Sequence, residues 1–251
     1  MKICILRSGS KANCTVIIDK DTIILIDIGI KYNELISELN NLNINPNNIT
    51  ACLITHSHTD HIGGLNIFLK HHKIPIFLSK DMITESIYLR MIESYILYED
   101  NFNINDINIT VFPTSHDKPS VGFIIKNKSK ELVYVTDTGY IHDKYMNLLH
   151  NKDIYIIESN HDIEMLQNGK YPEKVKRRIL SDNGHLSNNT TSYYLSKHLI
   201  GNNTKIIVLA HLSEENNTPK KALDTLKSCL GNNKINILTA NPHEKTEIIE
   251  V

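Results

Sequence analysis

The chain has 251 residues, of which 41% are hydrophobic and 22% charged, and its formal net charge at pH 7 is −1. A chain of this length can bury a sizeable core, and we expect one domain over residues 1–251. The near-zero net charge excludes binding of nucleic acid through overall charge, so a polyanion could bind only at a local basic patch or at bound metals. The cysteines are scattered, the N-terminal apolar run is too short for a signal peptide, and no apolar stretch is long enough to span a membrane. These features predict a cytoplasmic protein without membrane contact.

Short β-branched runs at the start predict a meander of three strands, over residues 2–6, 14–18 and 23–26. Asp27 follows the third strand, just before a glycine-containing turn. A carboxylate there can simply end the strand, cap the next turn, or hold a metal-binding histidine through its free N–H. We favour the third role, because a cluster of histidines follows the next predicted strand.

That next strand, predicted at residues 51–54, leads into a polar stretch with the sequence His56-Ser57-His58-Thr59-Asp60-His61. Imidazole and carboxylate are the ligands that zinc, iron and manganese prefer. His56 and His58 are two residues apart, so in an extended segment their side chains lie on one side. Asp60 and His61 follow where the chain turns toward a helix. This spacing favours two ions side by side, and the alternative is a polar loop without a metal.

The remaining elements follow in chain order. Helices are predicted over residues 32–42, 65–70, 82–98, 171–180, 190–199 and 219–230. Further strands are predicted over residues 74–78, 107–112, 121–125, 132–135, 154–157, 206–210, 235–238 and 248–251. His116, Asp137 and His211 each come shortly after one of these strands. A lone loop histidine is usually solvated, but the repeated pattern favours metal binding for all three, and the turn after Asp137 would leave its carboxylate free to bridge two ions.

The His-x-His-x-Asp-His motif after a strand, followed in order by His116, Asp137 and His211, resembles the signature of the metallo-β-lactamase fold superfamily. The likeness covers nearly the whole chain and is closest to the YycJ/WalJ group of bacterial nucleases. The segments that narrow it to this group are residues 6–10, 115–117, 136–140, 158–162, 177–182 and 184–188. The resemblance implies an α/β fold, an αββα four-layer sandwich, with the site along one edge of the strands.

The resemblance also implies two divalent metal ions per chain, zinc or manganese. One ion would be held by His56, His58 and His116, the other by Asp60, His61 and His211, and Asp137 would bridge them. Two such ions can lower the pKa of a shared water to near neutrality and clamp both oxygens of an in-line displacement. The implied activity is that of a phosphodiesterase, and more narrowly that of an exonuclease that hydrolyses DNA with a metal-activated hydroxide.

Glu158 and His185 stand where phosphodiesterases of this superfamily keep a Glu…His pair. By that resemblance His185 would protonate the leaving oxygen and Glu158 would orient it, with Asp60 as a further catalytic residue. The alternative for His185 is a capping or solvated role. His161 is a second candidate for the acid and is expected to contact substrate.

A basic run precedes His185 and is expected to bind DNA phosphates through Lys174, Arg177 and Arg178. The alternative is a solvated helix face. The chain lacks a β-CASP insertion and the flexible arm of tRNA-processing enzymes, so RNA maturation is not expected. Two other activities stay open, those of a glyoxalase II-type thioester hydrolase and of a small-molecule phosphodiesterase. The full ligand set argues against a non-enzymatic relative, and a homodimer is compatible with the sequence.

Overall fold

The computed structural model describes residues 1–231 and 234–250 of the chain. The strands among these residues are β1 (Lys2–Arg7), β2 (Cys14–Asp19), β3 (Thr22–Ile26), β4 (Ala51–Leu53), β5 (Ile76–Leu78), β6 (Ile96–Leu97), β7 (Asn101–Ile104), β8 (Ile107–Pro113), β9 (Val121–Lys126), β10 (Glu131–Val135), β11 (Ile154–Glu158), β12 (Ile206–Ala210), β13 (Asn236–Thr239) and β14 (Ile249–Glu250). Within this described part they form two seven-stranded sheets, in the orders β14-β1-β2-β3-β4-β5-β6 and β13-β12-β11-β10-β9-β8-β7.

Helices connect many of the strands. In the same residues they are α1 (Tyr32–Asn41), α2 (Thr59–Ile62), α3 (Leu65–His71), α4 (Lys80–Glu85), α5 (Ile87–Arg90), α6 (Met146–Leu149), α7 (Ile163–Asn168), α8 (Glu173–Ile179), α9 (Asn188–Tyr194) and α10 (Pro219–Leu230). A π-helical turn over Leu195–Leu199 extends α9. In residues 1–231 and 234–250 no helix is both long and apolar enough to cross a bilayer.

The two sheets stack face to face, and helices cover their outer faces. Successive residues of a strand point to opposite faces, so β1 places Ile3 and Ile5 in the core between the sheets. Cys4 and Leu6 of the same strand belong to a second buried cluster, which includes side chains of α1 and α3. A third cluster joins the other sheet to α10 through Leu226. The layers therefore run helix, sheet, sheet, helix, and the predicted αββα sandwich is confirmed.

Strand directions explain why the polar loops meet at one edge. In the first sheet β1 and β3 are both antiparallel to β2, and β3 is parallel to β4, so all three end at the same edge. In the second sheet β8 and β10 are both antiparallel to β9, and β10, β11 and β12 are parallel. A hydrogen bond of 2.8 Å from the His211 backbone N–H to Ser8 Oγ joins the two edges. Loops from both sheets therefore surround one region.

Most predicted elements are confirmed within a residue or two, and the N-terminal meander is present as expected. The helix predicted at residues 82–98 is wrong: the chain forms α4, α5 and the edge strand β6 instead. Ser86 ends α4 and caps α5, because its hydroxyl accepts a hydrogen bond from the Leu89 N–H. The elements β7, α6 and α7 were not predicted, and Val251 of the predicted last strand lies outside the described residues.

Candidate metal centre

Three histidine ring nitrogens converge at this edge. His56 Nε2 lies 2.9 Å from His58 Nδ1, and His116 Nε2 lies 3.2 Å from the same atom. The first two residues follow β4, and the third follows β8. Ligand atoms of these three residues all lie within 4.8 Å of one another, close enough to share one metal ion. We refer to His56, His58 and His116 as the first group.

Asp60, His61 and His211 form the second group, whose ligand atoms also lie within 4.8 Å of one another. The short helix α2 carries Asp60 and His61, and His211 directly follows β12. Asp60 Oδ2 is 3.4 Å from His61 Nε2 and 3.7 Å from His211 Nε2. The structure thus brings one carboxylate and two imidazoles together from opposite sheets.

Asp137 lies between the two groups. Its Oδ2 is 3.2 Å from His61 Nε2, and its Oδ1 is 3.5 Å from His211 Nε2. The same Oδ1 is 3.9 Å from His116 Nε2, in the first group. The side chain is therefore placed as a bridging carboxylate would be, within reach of both groups.

Oxygen atoms of the protein lie within hydrogen-bond distance of the outward ring nitrogens of the candidate ligands. Asp27 Oδ2 is 2.7 Å from His61 Nδ1, and the same carboxylate accepts hydrogen bonds from the Thr55 hydroxyl and N–H. The Thr55 hydroxyl is 3.1 Å from His56 Nδ1, and the Gly184 carbonyl is 3.2 Å from His116 Nδ1. These contacts direct Nε2 of His56, His61 and His116 inward, whereas His58 directs Nδ1 inward and Nε2 toward Asp117 Oδ1.

Glu158 contacts two histidines rather than the one predicted. Its Oε1 is 2.8 Å from His185 Nδ1 and 2.8 Å from His211 Nδ1, and its Oε2 accepts the backbone N–H groups of Thr138 and Leu186. Burial opposes ionisation of Glu158, but the charge and hydrogen bond of His185, together with those of His211, outweigh it and lower the pKa of Glu158 to about 2. The carboxylate therefore stays charged and orients both rings.

Three of these residues have a backbone conformation that non-glycine residues seldom adopt. The φ angles of Asp27, Asp137 and His211 are 60°, 55° and 54°. Each residue directly follows a strand or comes within two residues of its end. Such a conformation costs about 1–3 kcal/mol and persists only where surrounding contacts impose it. The strained backbone conformation thus occurs at three positions whose polar side chains are directed toward the centre.

The donor set fits divalent cations. Asp137 Oδ2 and His211 Nε2 are buried, and besides the contacts given above they make no hydrogen bond of good geometry among the described residues. Burial opposes ionisation of Asp137, but the charge of His211 outweighs it and lowers the pKa of this carboxyl well below its usual range. Burial also opposes a charge on His211, yet Asp137, Asp60 and Glu158 raise the pKa of its ring to about 10. Both shifts mark a region that favours positive charge, and a cation would bind buried ligand atoms that lack a well-formed hydrogen bond.

The geometry argues against the predicted contact between His161 and substrate. This side chain is 1% exposed, and neither ring nitrogen has a hydrogen-bond partner in the described residues. Burial lowers the pKa of the His161 ring to about 4. A neutral, enclosed ring can neither reach a substrate nor serve as its acid, so His185 is the better candidate for both tasks.

The residues of the predicted basic run have different surroundings in the structure. Arg178 Nη1 is 2.9 Å from Asp117 Oδ2, and Asp117 Oδ1 is 3.2 Å from His58 Nε2, so Arg178 is tied to the rim of the first group. Lys174 and Arg177 are exposed on α8. The α8 helix is close to the centre, because its Ile179 carbonyl accepts the His185 N–H at 3.0 Å.

Two residues near the centre were missed from the sequence. Asp117 lies beside a predicted ligand but carried no expected role. Asn13 lies in the loop before β2, and its Nδ2 is 3.1 Å from Asp60 Oδ2. Asparagine is abundant in this chain, so nothing in the sequence distinguished this one.

Comparison with known proteins gives a consistent result. Residues 22–202 match the family model described as a beta-lactamase superfamily domain. The chain is 36% identical over 233 residues to exodeoxyribonuclease WalJ of Streptococcus pneumoniae serotype 2 (strain D39 / NCTC 7466), with 90% of this chain and 86% of that protein covered. It is 32% identical over 224 residues to exodeoxyribonuclease YycJ of Bacillus anthracis, with 87% and 84% covered.

Among solved structures, the metallo-beta-lactamase fold protein YhfI from Bacillus subtilis is similar with a TM-score of 0.74. The sequences are 16% identical, and the match covers 98% of this chain and 99% of that one. At this identity the likeness concerns the fold alone.

Proposed function

The chain belongs to the beta-lactamase superfamily, and on that basis we propose that it is a metal-dependent phosphodiesterase, an exonuclease that hydrolyses DNA. Support comes from the two relatives named exodeoxyribonucleases, whose alignments span most of both chains. The observation that carries the proposal is the contact of 2.8 Å between His185 Nδ1 and Glu158 Oε1, at the border of the candidate metal centre. An acid held there serves an alkoxide leaving group, which a phosphodiester has.

In this proposal two divalent ions, zinc or manganese, occupy the centre. The first group would hold one ion, the second group the other, and Asp137 would bridge them. When bound, such ions polarise phosphoryl oxygens and make water acidic enough to supply a nucleophile near neutral pH. Ligation by nitrogen and oxygen alone admits either metal. Asp27 and Glu158 would keep the rings of His61 and His211 in the ligating tautomer.

The chain's own residues move the protons. The Asp60 side chain is 21% exposed, so its carboxylate can accept a proton from the attacking water. The water oxygen bonds to phosphorus while the bond from phosphorus to the leaving oxygen breaks. His185 gives the proton on Nε2 to that oxygen, because Glu158 accepts the hydrogen bond from Nδ1–H and so orients the ring with Nε2 as its remaining donor. The products are a phosphate monoester and an alcohol, and the cycle closes when Asp60 releases its proton to solvent and His185 regains one from solvent.

The exposed cations of α8 are proposed to contact phosphates along the polymer. The Lys174→Ala, Arg177→Ala double variant is expected to raise the KM for DNA and flatten its salt dependence. For every phosphate that the variant no longer neutralises, the slope of log affinity against log salt should fall by about 0.7–0.9. We leave Arg178 intact here because it also contacts Asp117, beside the first group.

A matched control removes Lys220 and Lys227 from α10 instead, which changes the net charge by the same amount. Its salt slope should equal that of the wild type. Turnover of bis(p-nitrophenyl) phosphate verifies that each variant is folded and metal-loaded. An unchanged slope in the Lys174, Arg177 variant would assign these residues to an ordinary solvated helix face.

One substrate panel tests the proposed activity against its alternatives. Metal-loaded protein is assayed on single- and double-stranded DNA, on bis(p-nitrophenyl) phosphate and on S-lactoylglutathione. Cleavage of DNA from its ends is the expected result. Hydrolysis of the thioester alone would identify a thioester hydrolase of the glyoxalase II type, and cleavage of the small ester without DNA would identify a small-molecule phosphodiesterase. We further propose that residues 1–251 act as one hydrolase domain and that the substrate is met in the cytoplasm.

A further inference from the structure

Asn13 is held between the two loops that border the second group. Its backbone N–H donates to the Asp60 carbonyl at 2.8 Å, and its carbonyl accepts the Gly29 N–H at 2.9 Å. The side chain is 1% exposed. Both the main chain and the side chain of Asn13 are therefore fixed relative to the start of α2, which carries two of the candidate ligands.

The orientation of the Asn13 amide follows from its hydrogen bonds. The Gly9 N–H donates to Oδ1 at 3.0 Å, so this atom must be the oxygen. The amide nitrogen consequently faces the other way. Nδ2 lies 2.9 Å from the Gly9 carbonyl, 3.1 Å from Asp60 Oδ2 and 2.9 Å from His61 Nε2. Two of these three neighbours are the candidate ligand atoms of the second group.

The Asn13 amide has one N–H group that faces the ligands of the second group. Nδ2 carries two N–H groups, one of which the Gly9 carbonyl takes. The other faces both Asp60 Oδ2 and His61 Nε2. His61 Nδ1 lies 2.7 Å from Asp27 Oδ2 and donates its N–H there, which leaves Nε2 as the atom that would bind the ion. With the ion bound, the lone pair of Nε2 would be taken, and this N–H of Asn13 would donate to Asp60 Oδ2 alone.

We infer that Asn13 is a positioning residue for the second ion: its amide would hold the Asp60 carboxylate by a hydrogen bond to Oδ2 and pack against His61 Nε2, and so set the spacing that the ion requires. The inference rests on the proposed dinuclear centre but is independent of its substrate. Asn13 does not touch the reacting atoms, and it acts through the two ligands. Partners of this kind typically change metal affinity by about 10–100-fold when they are removed.

Metal titration of the Asn13→Ala protein tests this inference. Metal-free protein is titrated with zinc in competition with a chromophoric chelator, which reports the affinity of each ion separately. The wild type should bind two ions tightly. The variant should bind the first ion as the wild type does and the second about 10–100-fold more weakly. Asn13→Ser, which keeps a small polar side chain in the loop, provides the same comparison where the alanine protein is insoluble.

A matched control is Asn188→Ala. Asn188 is also fully buried, and its amide bonds to Ser159 and Asn217 rather than to a candidate ligand. This variant should lose stability but bind both ions like the wild type. If the Asn13 variants also lose only stability while the second ion keeps its affinity, Asn13 is merely structural and the inference is overturned. A wild type that binds two ions without cleaving DNA would overturn the proposed function and leave this inference standing.

Discussion

Asp137→Asn is expected to reduce hydrolysis of both DNA and bis(p-nitrophenyl) phosphate by at least about 10³-fold, because in the proposed centre this carboxylate would hold both ions in place. Asn removes the charge that the neighbouring His211 stabilises but retains the size of the side chain. It also tolerates the positive φ of 55° at this position, so the backbone should keep its conformation. The same variant should contain less metal than the wild type after identical loading.

The matched control for this change is Asp224→Asn, an exposed aspartate on α10. It loses the same charge and should keep wild-type activity and metal content. Circular dichroism of both proteins separates loss of the centre from loss of the fold. Wild-type rates in a folded Asp137→Asn protein would show that the carboxylate between the two groups is not part of the catalytic centre.

His185→Ala is expected to lower the rate on DNA by about 10²–10⁴-fold without loss of either ion. The loss should be much smaller on bis(p-nitrophenyl) phosphate, because p-nitrophenolate leaves without a proton whereas an alkoxide does not. The ratio of the two losses therefore isolates the acid role from general damage to the site. Metal content measured on the same sample shows whether His185 is instead a ligand, since its Nδ1 lies 3.8 Å from Asp137 Oδ1.

His161→Gln is the matched control for the acid assignment. Its side chain is buried and contacts no candidate ligand by a hydrogen bond, so any loss of rate should be equal for both substrates. Equal losses for the His185 variant would remove its assignment as the acid. A loss that depends on the leaving group in the His161 variant instead would reverse the choice between the two histidines.

The residues of the second group show how far sequence alone carries. Asp60 and His61 stand in a local motif, so the sequence predicts their proximity without any knowledge of the fold. His211 comes 150 residues later, and it was predicted from the polar residue that follows each strand in turn and from the resemblance to the superfamily. Polar residues that follow successive strands meet at one edge of a sheet only when those strands are parallel. The parallel pairing of β10, β11 and β12 is known only from the structure.

Contacts that depend on how loops pack could not be predicted from the sequence. The amide of Asn13 meets Asp60 across 47 residues, and Arg178 meets Asp117 across 61 residues. No periodicity encodes such pairs, because each depends on how two loops pack. The segment at residues 82–98 failed for a related reason. Its apolar spacing suits a helix, but the serine cap at residue 86 starts a new short helix, and pairing of β6 with β5, about 19 residues earlier in the chain, makes the end of the segment a strand.

Glu158 illustrates a role that was only half predicted. Its contact with His185 was expected, whereas its equal contact with His211 was not. One carboxylate thus orients a candidate ligand and the proposed acid together. Substitution of Glu158 would disturb both, so it cannot separate the two roles, and the variants of Asp137 and His185 are the more informative pair.

The metal content of the purified protein tests the central claim most directly. Protein stripped with a chelator, reloaded with zinc or manganese and freed of excess metal is analysed by elemental mass spectrometry against a quantitative protein assay. Two groups of ligands with a carboxylate between them predict about two ions per chain. One ion or none under metal-replete conditions would contradict the dinuclear centre and the mechanism built on it.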